Sequence, residues 1–247
     1  MTEDGSGEDD DLSLVDPVVV RLRRLPDWEA VRAAHVACAA DIAPDATLAS
    51  LTREKASYRG IGAQRQLTTL FAAAVDQAYL DEICELEALD YLWLGWPVTA
   101  RDLSGLAKLK RLSFLKLDSP RNVTDFAPLT RLPALTHLFV ENAKHMDGLE
   151  WLAPLRSQLA VLGIEGSLWT TQKLASLAPL AGFGFEALCL TSVRLADKDL
   201  IPLASCPELR HLICARFAPR ARFEELKALR PDIACLWFDN YDLAIGA

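Results

Sequence analysis

Apolar residues recur along most of this chain in two alternating rhythms, and residues 112–135 show both. They read Leu112-x-x-Leu115-x-Leu117, then a loop with Pro120, then Phe126, Leu129, Leu132 and Leu135 at three-residue intervals. Period-two positions predict a short strand, and period-three positions predict a tight helical return. Leu135 opens the same pattern again. Eight such units start at Leu67, Leu89, Leu112, Leu135, Leu159, Phe185, Leu209 and Ile233, in steps of 22, 23, 23, 24, 26, 24 and 24 residues. The fourth and sixth positions are apolar or small throughout, from Leu70 and Ala72 to Leu236 and Phe238.

The returns repeat as well. Leu80, Ile83 and Leu86 lead to Leu89; Leu103, Leu106 and Leu109 lead to Leu112; Leu200, Leu203 and Cys206 lead to Leu209. Pro133, Pro207 and Pro231 stand two residues before a unit start, where proline ends a helix and extends the chain. This pattern resembles the leucine-rich repeat family, in its short, internalin-like form, over roughly residues 67–240. The resemblance implies an α/β solenoid, a horseshoe with a concave parallel sheet of about eight strands and short 3₁₀ or α returns on the convex side. The family usually carries asparagine at position 9. Here that position reads Val75, Pro97, Pro120, Ala143, Ser167, Val193 and Phe217. The turns must therefore close their hydrogen bonds another way, and an irregular solenoid is expected. Distortion should peak in the longest unit, 159–184, with Gly163, Gly166, Gly182 and Gly184.

Ahead of the repeats, residues 1–11 form an acidic tail expected to be disordered, and residues 12–66 read as an N-terminal cap. Within that cap, Val18-Val19-Val20-Arg21-Leu22 predicts a strand. Asp27 can cap a helix over 28–42, with Val31, Ala34, Cys38 and Ile42 on one face. The solenoid is expected to run over 67–240, with a C-terminal tail at 241–247.

The register also yields a surface map. Positions 1, 4 and 6 point inward, so positions 3 and 5 face the concave side. That places Phe71, Tyr91, Trp93, Phe114 and Phe139 together on the first four strands, with Lys116 and His137 beside them, Trp96 close by and Glu141 at the rim. A contiguous aromatic patch of this kind suits a polypeptide-binding face. Alternatively, the N-terminal segment or the tail folds over and covers it. A homodimer formed through this face, or through the last strand's edge, is a further alternative.

Composition narrows the options. Net charge is −8, of which six acidic residues in the first eleven supply −6, leaving −2 for the remainder. So nearly neutral a body argues against a nucleic-acid partner. No signal-peptide pattern or 18-residue apolar run is visible, so no membrane association and a cytoplasmic location are expected, in a chain of bacterial type. The six cysteines lack a disulfide rhythm. Cys189, His211 and Cys235 share the concave face, but with no CxxC pair they make a metal or thiol-enzyme site only a remote alternative. No catalytic residue, cofactor or metal site is assigned. The expectation is a non-enzymatic module binding another protein.

Overall fold

The computed structural model describes residues 16–146 and 148–243. The acidic stretch 1–11 and residues 244–247 of the expected tail lie outside this description. The architecture is a mixed α/β solenoid whose main sheet has nine parallel strands, in the order β1 (His35–Val36), β2 (Leu48–Thr52), β3 (Thr69–Ala73), β4 (Tyr91–Gly95), β5 (Phe114–Asp118), β6 (His137–Glu141), β7 (Val161–Glu165), β9 (Ala187–Leu190) and β11 (His211–Cys214). Strands β8 (Gln172–Leu174) and β10 (Val193–Leu195) pair separately as a two-stranded parallel sheet.

Register follows the leucine phase without a slip: Leu92 pairs with Leu115, Leu115 with Leu138, Leu138 with Leu162, and Leu162 with Leu188. These leucines stack into one buried core with those of the returns. Most returns are 3₁₀ turns, such as Ser104–Lys108, Ala127–Arg131 and Ile201–Ser205. Three residues per turn puts every third side chain on the core face, and Leu103, Leu106 and Leu109 are fully buried. The return in the first unit is the helix α3 (Gln77–Ile83), capped by Asp76, whose side chain accepts from the Tyr79 amide at 2.9 Å.

Without asparagines at position 9, several turns close through the backbone of position 8. Ala74, Ser119, Asn142 and Ser192 all adopt left-handed conformations there. This turns the chain out of the strand. At two of these positions the amide still bonds sideways: Ser119 donates to the Glu141 carbonyl at 2.8 Å and Asn142 to Glu165 at 2.7 Å, while Gly166, at the same position without a left-handed turn, donates to Thr191 at 2.9 Å.

Several local expectations need correction. Residues 18–22 are not a strand but part of helix α1 (Pro17–Arg23). Asp16 caps it by accepting from the Val18 amide, and Pro17 fits the first helical position, so the cap overrides the β-branched run. The helix expected over 28–42 stops early, as α2 (Trp28–Ala33), because His35 and Val36 join the sheet beside Ser50 and Leu51. The sheet thus begins ahead of residue 67: Ala46-x-x-Ala49-x-Leu51 is a unit with alanine at two leucine positions. At the other end no eighth-unit strand forms over 233–238. A single bridge joins Ala234 to His211, then α5 (Leu236–Asp239) follows, packed against α4 (Arg220–Leu229). Helical phase buries Trp237, whose position 5 in a strand would face the concave side, and exposes Leu236. The distortion expected in unit 159–184 falls after its strand: β7 keeps full register with β6, and the extra residues form a loop and β8.

Candidate protein-binding site

The aromatic side chains expected on the concave side are there, assembled strand by strand. Tyr91 and Phe114 stack with ring centroids 4.0 Å apart, and Phe139 follows at 5.7 Å from Phe114. Gly163 continues the row, and its lack of a side chain is what seats Phe139. A Cβ there would lie 2.2 Å from the Phe139 ring. The rings are not bare, however. Phe71, Tyr91, Phe114 and Phe139 are buried in a second apolar cluster together with Leu22 and Val31, beneath α1 and α2. Trp28 packs its ring 5.3 Å from Trp93 and 6.0 Å from Phe71. The chain's own residues 17–33 form a strap over the concave face.

Three consecutive contacts on carboxylates pin this strap. Arg21 pairs with Glu186 at 2.6 Å in the open. Arg23 grips Glu165 with both guanidinium nitrogens, at 2.9 and 2.5 Å. Arg24 reaches Asp90 at 2.8 Å and Ser113 at 2.6 Å, while lying over the Tyr91 and Phe114 rings. Exposed pairs such as the first contribute little. The Arg23–Glu165 pair is different: Glu165 is buried and also accepts from the Thr191 hydroxyl at 2.6 Å. Burial alone would pull the Arg23 guanidinium down, but the Glu165 hydrogen bond and charge outweigh it and hold its pKa above the ordinary value. His137 sits half-buried under the strap. Burial, then the charge of Arg24, pushes its pKa down to about 4, so its ring is neutral at physiological pH.

Lys116 forms the hinge between concave face and rim. Its ammonium lies 2.9 Å from Asp118, 3.3 Å from Glu141 and 4.0 Å from the centre of the Trp93 ring. Asp118 also accepts from the Trp93 indole at 2.6 Å. Burial raises the Glu141 pKa against the pull of Lys116. The two carboxylates therefore border the rim as a pair sharing one ammonium.

The open apolar surface lies just beyond them, on loops leaving the C-terminal ends of the strands. Trp96 is 62% exposed, Leu168 96% and Trp169 92%. All three line one groove of about 540 Å³, with Asp118, Glu141, Asn142 and Arg121. Of the residues singled out from sequence, the structure brings Trp96 and Glu141 to this groove, and puts Lys116 directly behind it. Leu168 and Trp169 went unrecognised because the strand alternation that orders side chains stops at Glu165. The available signal was a Leu-Trp pair inside the longest unit's insertion, where no core position required it.

The thiol cluster has different surroundings from those expected. Cys189 is fully buried, and burial pushes its pKa up to about 12, so it stays protonated. Cys235 caps α5 rather than standing on a strand. Among the described residues no group of three or more His, Cys, Asp or Glu side chains is placed to hold a metal ion, and no helix is long and apolar enough to cross a membrane.

Consecutive parallel strands joined by 3₁₀ returns, with leucines stacked inside, define a leucine-rich repeat solenoid. No sequence-family profile matches the chain, and no curated protein matches it by sequence. Among solved structures it is similar to the internalin InlF of Listeria monocytogenes, at 16% identity and a TM-score of 0.51, over 74% of this chain and 58% of that one. It is also similar to internalin C2 of the same organism (24% identity, TM-score 0.45, 62% and 64%). A third likeness is to a leucine-rich repeat protein of Leptospira interrogans (14% identity, TM-score 0.43, 74% and 59%). The chain spans roughly three fifths of each of these structures, and at such identities the likeness concerns the fold.

Proposed function

We propose that this chain is a non-enzymatic protein-interaction module that holds a polypeptide partner in the rim groove. One observation carries the reading: three of its most exposed large apolar side chains, Trp96, Leu168 and Trp169, converge on a single depression of an otherwise well-buried fold. Isolated apolar residues on a surface need no explanation, but a cluster with two tryptophans does. Tryptophan is the residue most often found to dominate an interface, since it adds large rigid area at small entropic cost. Glu141, Asp118 and Lys116, fixed by one another, supply a preorganised polar border.

Within this reading the remaining candidates, Phe71, Tyr91, Trp93, Phe114, His137 and Phe139, hold the strap and through it the curvature behind the groove. They meet a partner directly only where the strap yields. The proposed setting is the cytoplasm, which the six unpaired thiols support.

Affinity capture from native extract tests the proposal, with wild type and the double variant Trp96→Ala/Trp169→Ala compared side by side. Both side chains are exposed, so the variant should melt within about 2 °C of wild type. Wild type should enrich a polypeptide that the variant loses. An identical captured set from both would remove the groove from consideration.

A further inference from the structure

We propose that the rim groove takes an acidic polypeptide segment, whose apolar anchor rests on Trp96, Leu168 and Trp169 while its carboxylates lie along a basic shelf beside them. The inference rests on the groove being the binding surface and adds the chemistry of its occupant.

The groove does not end at the tryptophans. It shares Arg121, Asn142 and Thr170 with a second depression of about 590 Å³, where Arg121 is joined by Lys144 and Lys173. Arg121, Lys144 and Lys173 are exposed, and among the described residues none of them makes an ion pair. The acids on the inner side of the groove, Asp118 and Glu141, share the single ammonium of Lys116, so the positive charge is concentrated on the shelf and not on that inner wall. The shelf is thus positive in a chain whose net charge is −8.

A second observation points the same way. In the small sheet, Lys173 of β8 pairs with Arg194 of β10, each exposed and each flanked by buried neighbours. Two cations side by side on adjacent strands repel. Nothing in the fold needs that pairing: the positions face solvent, and a neutral or acidic residue at either would relieve it. A ligand carboxylate lying across them converts the repulsion into attraction and aligns the partner along the rim. A polypeptide fits better than a nucleic acid. The cations are few and the chain beyond residue 11 is nearly neutral, which gives a phosphate backbone little to pair with, whereas the tryptophan and leucine wall suits an aliphatic or aromatic side chain.

Panning a random dodecapeptide phage library against the full-length protein tests this. Enriched sequences should combine Asp or Glu with Leu, Phe or Trp. A synthetic peptide of the commonest sequence should bind about tenfold more weakly to the charge-reversed variant Lys173→Glu/Arg194→Glu, and at least as weakly to Trp169→Ala. Replacing the peptide's acids with lysine should restore binding to the charge-reversed variant, which a misfolded protein could not do. Neutral or basic enriched sequences, or charge reversal without effect while Trp169→Ala still abolishes binding, would overturn the acidic assignment and leave the groove standing. Peptides indifferent to Trp169→Ala would overturn the groove itself. A 20-nucleotide single-stranded DNA that outcompetes the peptide at the same residues would also overturn the proposal.

Discussion

Gly163 shows how a single residue sets the concave surface. Every other unit from Leu67 to Leu135 fills position 5 with a large side chain, namely Phe71, Trp93, Lys116 and Phe139. The fifth unit leaves it empty so that the Phe139 ring can lie across it. A methyl group at position 163 would overlap that ring, and the strap above prevents the ring from lifting away. Gly163→Ala is therefore expected to lower unfolding stability by about 1–3 kcal/mol, the usual range for overpacking a filled site. A urea titration checks this, and Gly163→Ala/Phe139→Leu should recover much of the loss. The glycine is visible in the sequence, but its role is not: alternation says which way position 163 faces, and only the lateral register says whose ring arrives there.

At the scale of elements, the strap is the part the sequence disguised most. Val18-Val19-Val20 has strong strand propensity, and the period of Val31, Ala34, Cys38 and Ile42 mimics a long helix. Asp16-Pro17 and the pairing of His35 and Val36 with β2 decide otherwise, and the second of these is a long-range event that local pattern cannot register. The first repeat strand, β2, was hidden for a simpler reason, since alanines at positions 46 and 49 make small knobs that do not announce a core. The leucine ladder from Leu67 to Leu212 was plain because every unit repeats it, and its register carried the concave face with it.

The strap is held chiefly by Leu22 and Val31, by the Trp28 ring and by the Arg23–Glu165 and Arg24–Asp90 pairs. Leu22→Ala with Arg23→Ala should speed amide exchange across residues 17–33 and increase binding of an apolar dye to the uncovered rings. It should shift the solenoid's own unfolding less than a Leu→Ala change in the main core, which costs about 2–5 kcal/mol. Unchanged exchange in 17–33 would mean that the strap is an integral layer of the fold and not a separately opening one.

For the whole molecule, strap and rim divide the labour. In this solenoid the inner curve is lined with aromatic rings, and the N-terminal helices cover it, leaving the C-terminal ends of the strands as the open apolar surface. The repeat pattern identifies the solenoid from Leu67 to Leu212, yet says nothing of loops that obey no period. For that reason Trp96 and Glu141 were within reach of sequence reasoning, but Leu168, Trp169 and the Lys173–Arg194 pair were not. The account stands on a partner docking at the rim over a closed strap. The most direct measurement is hydrogen–deuterium exchange on the full-length protein, with and without a bound peptide or captured partner. Protection should concentrate in residues 119–122, 142–146 and 167–173, with residues 17–33 unchanged. Protection of β3 to β6 together with faster exchange in 17–33 would show that the partner displaces the strap and binds the inner curve instead, contradicting the account.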